Sequence, residues 1–216
     1  TAAPHGATRR TFQPPFTPVL GACDCLVKIR SCLFCKTTDR HIVEQSFDFG
    51  LSYPCILGHE SIGEVVETGN SVKNFHPGDW VTRPYAVYPG DTLDQFGSGW
   101  GGFAELGKIR DYQAMIQDGF AIKSEVPGFF KYMQTIPKTV PLKEAAMITG
   151  LREIYSSAAQ IPEVNGKSIL IAGPGVAGLL FAHFLHLRGA ANIAIAARRV
   201  EAREFALAET PAKNLI

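Results

Sequence analysis

Residues 168–196 constrain the fold more than any other stretch. The apolar run SILIA (168–172) is followed at once by Gly173-Pro-Gly175-Val176-Ala177-Gly178. The apolar run LLFAHFLHLRGA comes next, then a second strand-like run, NIAIA, at 192–196. Strand, glycine turn, helix, strand is a βαβ unit, which predicts two parallel strands joined by a crossover helix. The three glycines have separate physical uses. Gly173 permits a tight turn, Gly175 lets backbone N–H groups approach a pyrophosphate, and Gly178 lets helix and strand pack closely. The helix start at Val176 and Ala177 adds positive potential. Together these residues predict a dinucleotide site, with an ordinary strand-to-helix turn as the alternative. Nucleotide choice is read at the end of the second strand, where a carboxylate would bind the ribose 2′-hydroxyl of NAD. Here Ala197 is followed by Arg198 and Arg199, with no carboxylate before Glu201. Two guanidiniums favour a 2′-phosphate, hence NADP, with NAD possible.

The chain upstream reads differently. CDCLVKIRSC (23–32) is a strand, and 60–82 holds two strand-like runs punctuated by Gly69-Asn70 and Pro77-Gly78-Asp79, both turn signatures. Residues 1–20 read as extended or irregular and 83–102 as loop, while KEAAMITGLREIYSSAAQ (143–160) reads as helix. Strands and turns therefore dominate up to about residue 142. Lys plus Arg number 21 against 20 Asp plus Glu, net +1. That balance argues against a nucleic-acid or polybasic membrane partner. No apolar run approaches the ~18 residues of a membrane span and no signal-peptide pattern opens the chain, so the expected location is the cytoplasm. All five cysteines lie between Cys23 and Cys55. An odd count without a signal peptide reads as reduced thiols, mostly small core residues. Cys32-x-x-Cys35 could be a redox pair or half a zinc knuckle, but no second cysteine pair follows. His183 and His186 look metal-like and read instead as flanks of a packed helix face.

Gly58-His59-Glu60 opens a longer pattern of Gly63, Val65, Gly69, Val72, Gly78-Asp79 and Val81. With the later glycine motif, it resembles the medium-chain dehydrogenase/reductase superfamily, zinc alcohol and polyol dehydrogenase type, over roughly residues 18–205. The segments CKTTDRHI (35–42), GWGGFAEL (99–106) and AAMITGLREIYSS (145–157) are similar to a sorbitol- or glucose-dehydrogenase-like subgroup. The resemblance implies an α/β chain: a β-rich GroES-like catalytic domain over 1–145, then the N-terminal part of a Rossmann, doubly wound parallel-sheet domain over 146–216. It also implies one catalytic zinc, with Cys35 and His59 as ligands and Glu60 as a supporting carboxylate or alternate ligand. A catalytic zinc takes about three protein ligands and leaves a position open. The commoner family run is Cys-Gly-Ser/Thr-Asp-x-His, whereas Cys35-Lys36-Thr37-Thr38-Asp39-Arg40-His41 is one residue longer. Counting from Cys35 makes Thr37 the substrate-side hydroxyl, and counting back from Asp39 makes it Thr38 and sets Lys36 where the cysteine belongs. His41 extends a proton relay or is a surface histidine. Counting back from Gly173, the third ligand position falls at Ile148 or Thr149, neither a good zinc donor, so Glu153, about one helical turn on, is the candidate. The family's structural zinc, held by four cysteines after the Gly-Asp-x-Val strand, has no cysteines here.

Three functions follow. The first is a zinc-dependent dehydrogenase moving a hydride between NADP(H) and an alcohol, polyol or ketone. The second is a zinc-independent NADPH quinone or enone reductase of the same superfamily. The third is a non-catalytic nucleotide-binding or scaffold protein. The expected partners are a small-molecule substrate and, at full length, further copies of the chain in a dimer or tetramer. From Ser168 only 49 residues remain, while a complete doubly wound fold uses about six strands, so the dinucleotide domain is expected to be incomplete in this sequence.

Overall fold

The computed structural model describes residues 18–46, 48 and 50–215. The irregular reading of 1–20 therefore falls almost wholly outside the described residues. The first part of the chain supplies β1 (Asp24–Leu33), α1 (Thr38–Glu44), β2 (Cys55–Ile56), β3 (Glu60–Thr68), β4 (Trp80–Thr82), β5 (Gly97–Ser98), β6 (Leu106–Arg110), α2 (Tyr112–Gln117) and β7 (Thr135–Ile136). The second supplies α3 (Leu142–Ala145), α4 (Ile148–Ala159), β8 (Ser168–Ala172), α5 (Val176–Leu187), β9 (Asn192–Ala196), α6 (Val200–Glu209) and β10 (Asn214–Leu215). Among the described residues no helix is long and apolar enough to cross a membrane.

Five strands form an antiparallel sheet in the order β6-β1-β3-β4-β7, and β2 pairs in parallel with β5. Alternation on β1 turns Cys25 and Val27 into a core with Val65, Val81, Tyr85 and Ile109. β1 lies between β6 and β3, and its first four residues are buried on both faces, Asp24 included. That buried carboxylate accepts from Arg110 Nε at 2.5 Å and Nη2 at 3.0 Å. The guanidinium in turn lies between the rings of Tyr88 and Phe130, 4.7 and 4.9 Å from their centroids.

The βαβ prediction is realised. β8 and β9 pair in parallel in register Ser168↔Asn192 to Ala172↔Ala196, with β10 added beyond β9. Ile193, Ile195, Ala182 and Leu185 form the second core. The apolar run of β8 predicts burial on both faces, yet Leu170 is 59% exposed. Ile169 and Ile171 pack against that core, and among the described residues nothing covers the opposite face.

Three elements differ from expectation. The helix expected over 143–160 is two helices, α3 and α4, because Met147 N–H bonds Glu144 O three residues back and breaks the α register. α1 and α2, seven and six residues long, interrupt the strand-rich part; such lengths are too short for helical periodicity to register. Residues 84–88 of the expected loop are buried, held by the Tyr85–Lys108 bridge and by Ser98 Oγ, which donates to Val87 O at 2.6 Å. α4 packs against both β3 and α5 and so joins the two sheets.

Asp111 shows what one buried acid contributes. It caps α2 by accepting from Ala114 N at 3.0 Å, and it accepts from Lys73 N at 2.9 Å and Asn74 N at 2.8 Å, fixing the β3–β4 turn. Burial pushes its pKa up, but these hydrogen bonds outweigh burial and hold it below the usual aspartate value. Asp111→Ala leaves those donors unpaired and is expected to cost about 1–3 kcal/mol of stability at neutral pH. Because the folded pKa is depressed, the contribution is full above the unfolded value of ~3.9 and is lost as pH falls through the folded one. Urea unfolding of both proteins should show the gap close in acid.

Candidate metal centre and nucleotide turn

The chain leaves β1 through exposed Phe34 and reaches Cys35 just before α1. Cys35 N–H donates to Asp39 Oδ2 at 2.8 Å, and Cys35 Sγ accepts Thr38 N–H at 3.5 Å. Asp39 is fully buried. Its other oxygen, Oδ1, accepts from His59 Nδ1 at 3.2 Å, so His59 carries its proton on Nδ1 and offers Nε2 as an acceptor or ligand. His59 follows Gly58, whose φ is +106°; a Cβ there would stand 2.6 Å from Phe103 N and 2.9 Å from Cys32 Sγ. Glycine is therefore required at 58 by both conformation and space. Glu60, half-buried, begins β3. Burial raises its pKa, Glu153 and Asp39 push the same way, and His59 and Arg83 oppose. Ligand atoms of Cys35, His59 and Glu60 all lie within 4.8 Å of one another. The Trp100 ring sits over His59, centroids 5.2 Å apart.

At the other sheet, Gly173 turns at φ +101°, and no atom lies within 4 Å of a Cβ built on Gly173 or Gly175. A Cβ on Gly178 would collide with the Gly173 carbonyl oxygen, so this glycine is what lets α5 lie against β8. Beside the turn is an open cleft of about 900 Å³ lined by Ala172, Gly173, Pro174, Ala197, Arg198 and Arg199. Val176 and Ala177 open α5 above it, both exposed. Both arginines are exposed, and neither guanidinium has a partner among the described residues.

Residues 21–118 match the alcohol dehydrogenase GroES-like domain. Over 196 residues the chain is 32% identical to the NADP-dependent isopropanol dehydrogenase of Clostridium beijerinckii, covering 87% of this chain and 54% of that one. The Thermoanaerobacter brockii enzyme of the same name is 32% identical over 182 residues, 82% of this chain and 50% of that one. The chain belongs to the medium-chain dehydrogenase/reductase superfamily. It spans about half the length of these curated relatives. The crystal structure of benzyl alcohol dehydrogenase from Acinetobacter calcoaceticus shares the fold, with a TM-score of 0.71 and 18% identity over 96% of this chain and 58% of that one.

Within this superfamily member, the structure brings Cys35, His59 and Glu60 together but not Glu153. Glu153 is 55% exposed and accepts from Arg83 Nη1 at 3.2 Å instead. Its place is taken by the first turn of α4: a Cβ on Gly150 would stand 3.0 Å from Glu60 Oε1, and Thr149 is buried with its hydroxyl unpaired. The extra residue of the cysteine run is absorbed in the turn into α1, where Asp39 N–H bonds Cys35 O at 3.1 Å. Cys35, not exposed Lys36, therefore faces His59. Thr37 is exposed and Thr38 half-buried. His41 is exposed and its Nδ1 contacts Ser46 Oγ at 2.7 Å. All five cysteines are free thiols. Burial pushes those of Cys25 and Cys32 up to about 12 and raises Cys23 and Cys55, keeping them protonated at neutral pH. His183 Nε2 contacts the Glu209 carbonyl at 2.8 Å, tying α5 to α6.

Sequence reasoning used Asp39 only as a counting mark and missed it as the link between the cysteine and the histidine. The signal was present, since an acid one turn beyond a ligand cysteine on a helix start can reach it. Asp39→Asn should leave the fold cooperative but weaken metal binding by about 10–100-fold. Cobalt(II) titration, followed by thiolate-to-metal absorption, measures this; unchanged affinity would remove Asp39 from the centre.

Proposed function

We propose that the chain carries the metal centre and nucleotide turn of a zinc-dependent oxidoreductase that moves a hydride between NADP(H) and an alcohol, polyol or ketone. The observation that carries this is the Cys35–His59–Glu60 group, closed within 4.8 Å and organised by a buried acid. The donor set suits zinc: one thiolate, one imidazole and one carboxylate, against roughly 3.5 Å between donors in a tetrahedral zinc shell. When bound, zinc supplies a Lewis acid for the substrate oxygen, and NADP supplies the hydride acceptor. That relatives matched over 82–87% of this chain are NADP-dependent isopropanol dehydrogenases supports the same cofactor and substrate class.

The chain's own residues then have distinct tasks. Asp39 holds the His59 ring and the Cys35 backbone so that neither ligand must reorganise. Thr38 N–H stabilises negative charge on Cys35 Sγ. A Thr37 or Thr38 hydroxyl relays the proton of the substrate hydroxyl, accepting it as it gives up its own, and His41, exposed and beside Ser46, passes the released proton to solvent. Trp100, over His59, limits water and shapes the cleft. Gly173 makes the turn, its own N–H held by the Ala196 carbonyl at 2.9 Å, and Gly175, Val176, Ala177 and Gly178 present backbone N–H groups to the pyrophosphate. Arg198 and Arg199, unpaired at the cleft, receive the 2′-phosphate.

Two binding measurements on this chain test the reading. Purified protein should hold about one zinc, lost in Cys35→Ser and His59→Ala; metal retained by both variants sinks the centre. Adenosine 2′,5′-bisphosphate should bind at least about tenfold tighter than 5′-AMP, with most of that preference lost in Arg198→Ala/Arg199→Ala. Equal affinity for the two nucleotides would reject NADP.

A further inference from the structure

Arg83 follows β4 and takes left-handed backbone, φ +56°. Its N–H donates to Ser61 O at 2.8 Å, which sets it beside the strand that begins with Glu60. The side chain is only 9% exposed. A guanidinium withdrawn from water needs acceptors for most of its five N–H groups. Among the described residues it has one, Glu153, at 3.2 Å from Nη1, with the Tyr132 ring 5.5 Å from its central carbon. Arg83 Nε is buried without a hydrogen bond of good geometry, and so is the hydroxyl of Tyr85, two residues on and fully buried, although the two side chains interact, Arg83 opposing the burial that raises the Tyr85 pKa. The one acceptor is itself 55% exposed, so solvent reaches the carboxylate that holds this buried charge.

The location ties this group to the metal centre. Gly150 of α4 abuts Glu60, and Glu153 is three residues on along the same helix face, ~4.5 Å along the axis. A second guanidinium, Arg152, lies 5.0 Å from the same Tyr132 ring and bonds Gln134 Oε1 and Tyr132 O, both neutral acceptors. Between them the two guanidiniums hydrogen-bond one carboxylate, Glu153 through Arg83, and Arg83 is near enough to Glu60 to oppose the rise of its pKa. Buried polar atoms there, Arg83 Nε and the Tyr85 hydroxyl, lack hydrogen bonds of good geometry.

We propose that Arg83, with Tyr85, forms a specificity-determining subsite for a compact oxyanion. The substrate is then an alcohol bearing a carboxylate or phosphate a few carbons from the reacting hydroxyl, and Glu153 occupies the subsite as an internal stand-in that this group displaces. The inference rests on the oxidoreductase reading above and narrows its substrate class from simple alcohols to hydroxy acids or phosphorylated polyols.

The test is equilibrium binding to the zinc-loaded full chain, with 3-hydroxybutyrate against 2-butanol and glycerol 3-phosphate against glycerol. Each anionic alcohol should bind at least about tenfold tighter than its neutral partner, the strength of a charge-assisted contact. The better of the two anions assigns carboxylate or phosphate. Arg83→Lys, which keeps the charge but loses the planar fork, should erase most of that preference while leaving the neutral alcohols unchanged. Tyr85→Phe should reduce it in part. Glu153→Gln, an exposed change that avoids disturbing the fold, should tighten anion binding several-fold, and the gain should vanish in the Arg83→Lys background. Equal affinity for anionic and neutral alcohols overturns the subsite, as does weaker anion binding in Glu153→Gln. Inorganic phosphate whose affinity ignores Arg83→Lys overturns it too, by placing the anion elsewhere. Cobalt absorption on the same samples separates the two proposals: failure of metal to bind through Cys35 rejects the oxidoreductase reading, while normal metal loading without anion preference rejects only the subsite.

Discussion

Asp39 has no contact with water, and a carboxylate survives there because each oxygen is claimed: Oδ2 by the Cys35 N–H, Oδ1 by His59 Nδ1. The second bond spans twenty residues, so it fixes the approach of the α1 turn to the start of β3. Everything at the candidate centre inherits that geometry. Cys35 is held at its backbone, His59 at its ring, and Glu60 follows as the next residue along the chain. The arrangement also explains the demand at Gly58, since the strand can enter beside Asp39 only where its backbone lies flat against Phe103 and Cys32.

α4 carries this order to the nucleotide side. Its first turn meets Glu60 at Gly150, its middle meets Arg83 and Tyr132 through Glu153 and Arg152, and Tyr155 packs edge-on against Phe184 of α5 at 5.3 Å. Its last residues offer the Ala158 carbonyl to Arg188. One helix of twelve residues therefore touches the metal-capable group, the arginine pair and the helix that starts at the glycine turn. A change in any of these can be felt by the others without an intervening loop, because a short helix moves as a rigid unit.

What was legible in the sequence is what local pattern encodes. The βαβ unit declared itself because glycine spacing, two apolar strands and an apolar helix agree over 29 consecutive residues. Cys35 and His59 were legible through a resemblance, and the structure brings them together. Glu153 went astray because counting along a helix gives its face but not its partner; that choice is made by Arg83, seventy residues away in sequence. Arg83 itself carried no signal, since its burial arises from the fold and not from its neighbours in the chain. The break between α3 and α4 was equally silent, as Ala146 and Met147 are good helix formers and the break comes from packing. Leu170 failed for the opposite reason. An apolar strand states what it can bury, while the cover must come from elsewhere.

Two large residues at left-handed backbone positions point back to the same place. Among the described residues, the non-glycine residues with positive φ are Gln45, Arg83, Asp94, Trp100 and Glu163. Gln45, Asp94 and Glu163 are exposed, Gln45 as the cap that ends α1. Arg83 and Trp100 flank the centre: one is buried beside Glu60's strand, the other lies against His59. Such a conformation costs of order 1–3 kcal/mol for a residue with a Cβ, a cost that glycine would largely remove. Glycine is abundant in the very loop that holds Trp100, with Gly99, Gly101 and Gly102 around it. The strained positions are thus not places where the backbone lacked an alternative; each keeps a side chain that glycine cannot supply, an indole over the histidine in one case and a guanidinium short of acceptors in the other. Strain of this kind persists only where the surrounding structure holds it in place. Around Arg83 that structure is the β3–β4 pairing and α4, the same elements that position Glu60.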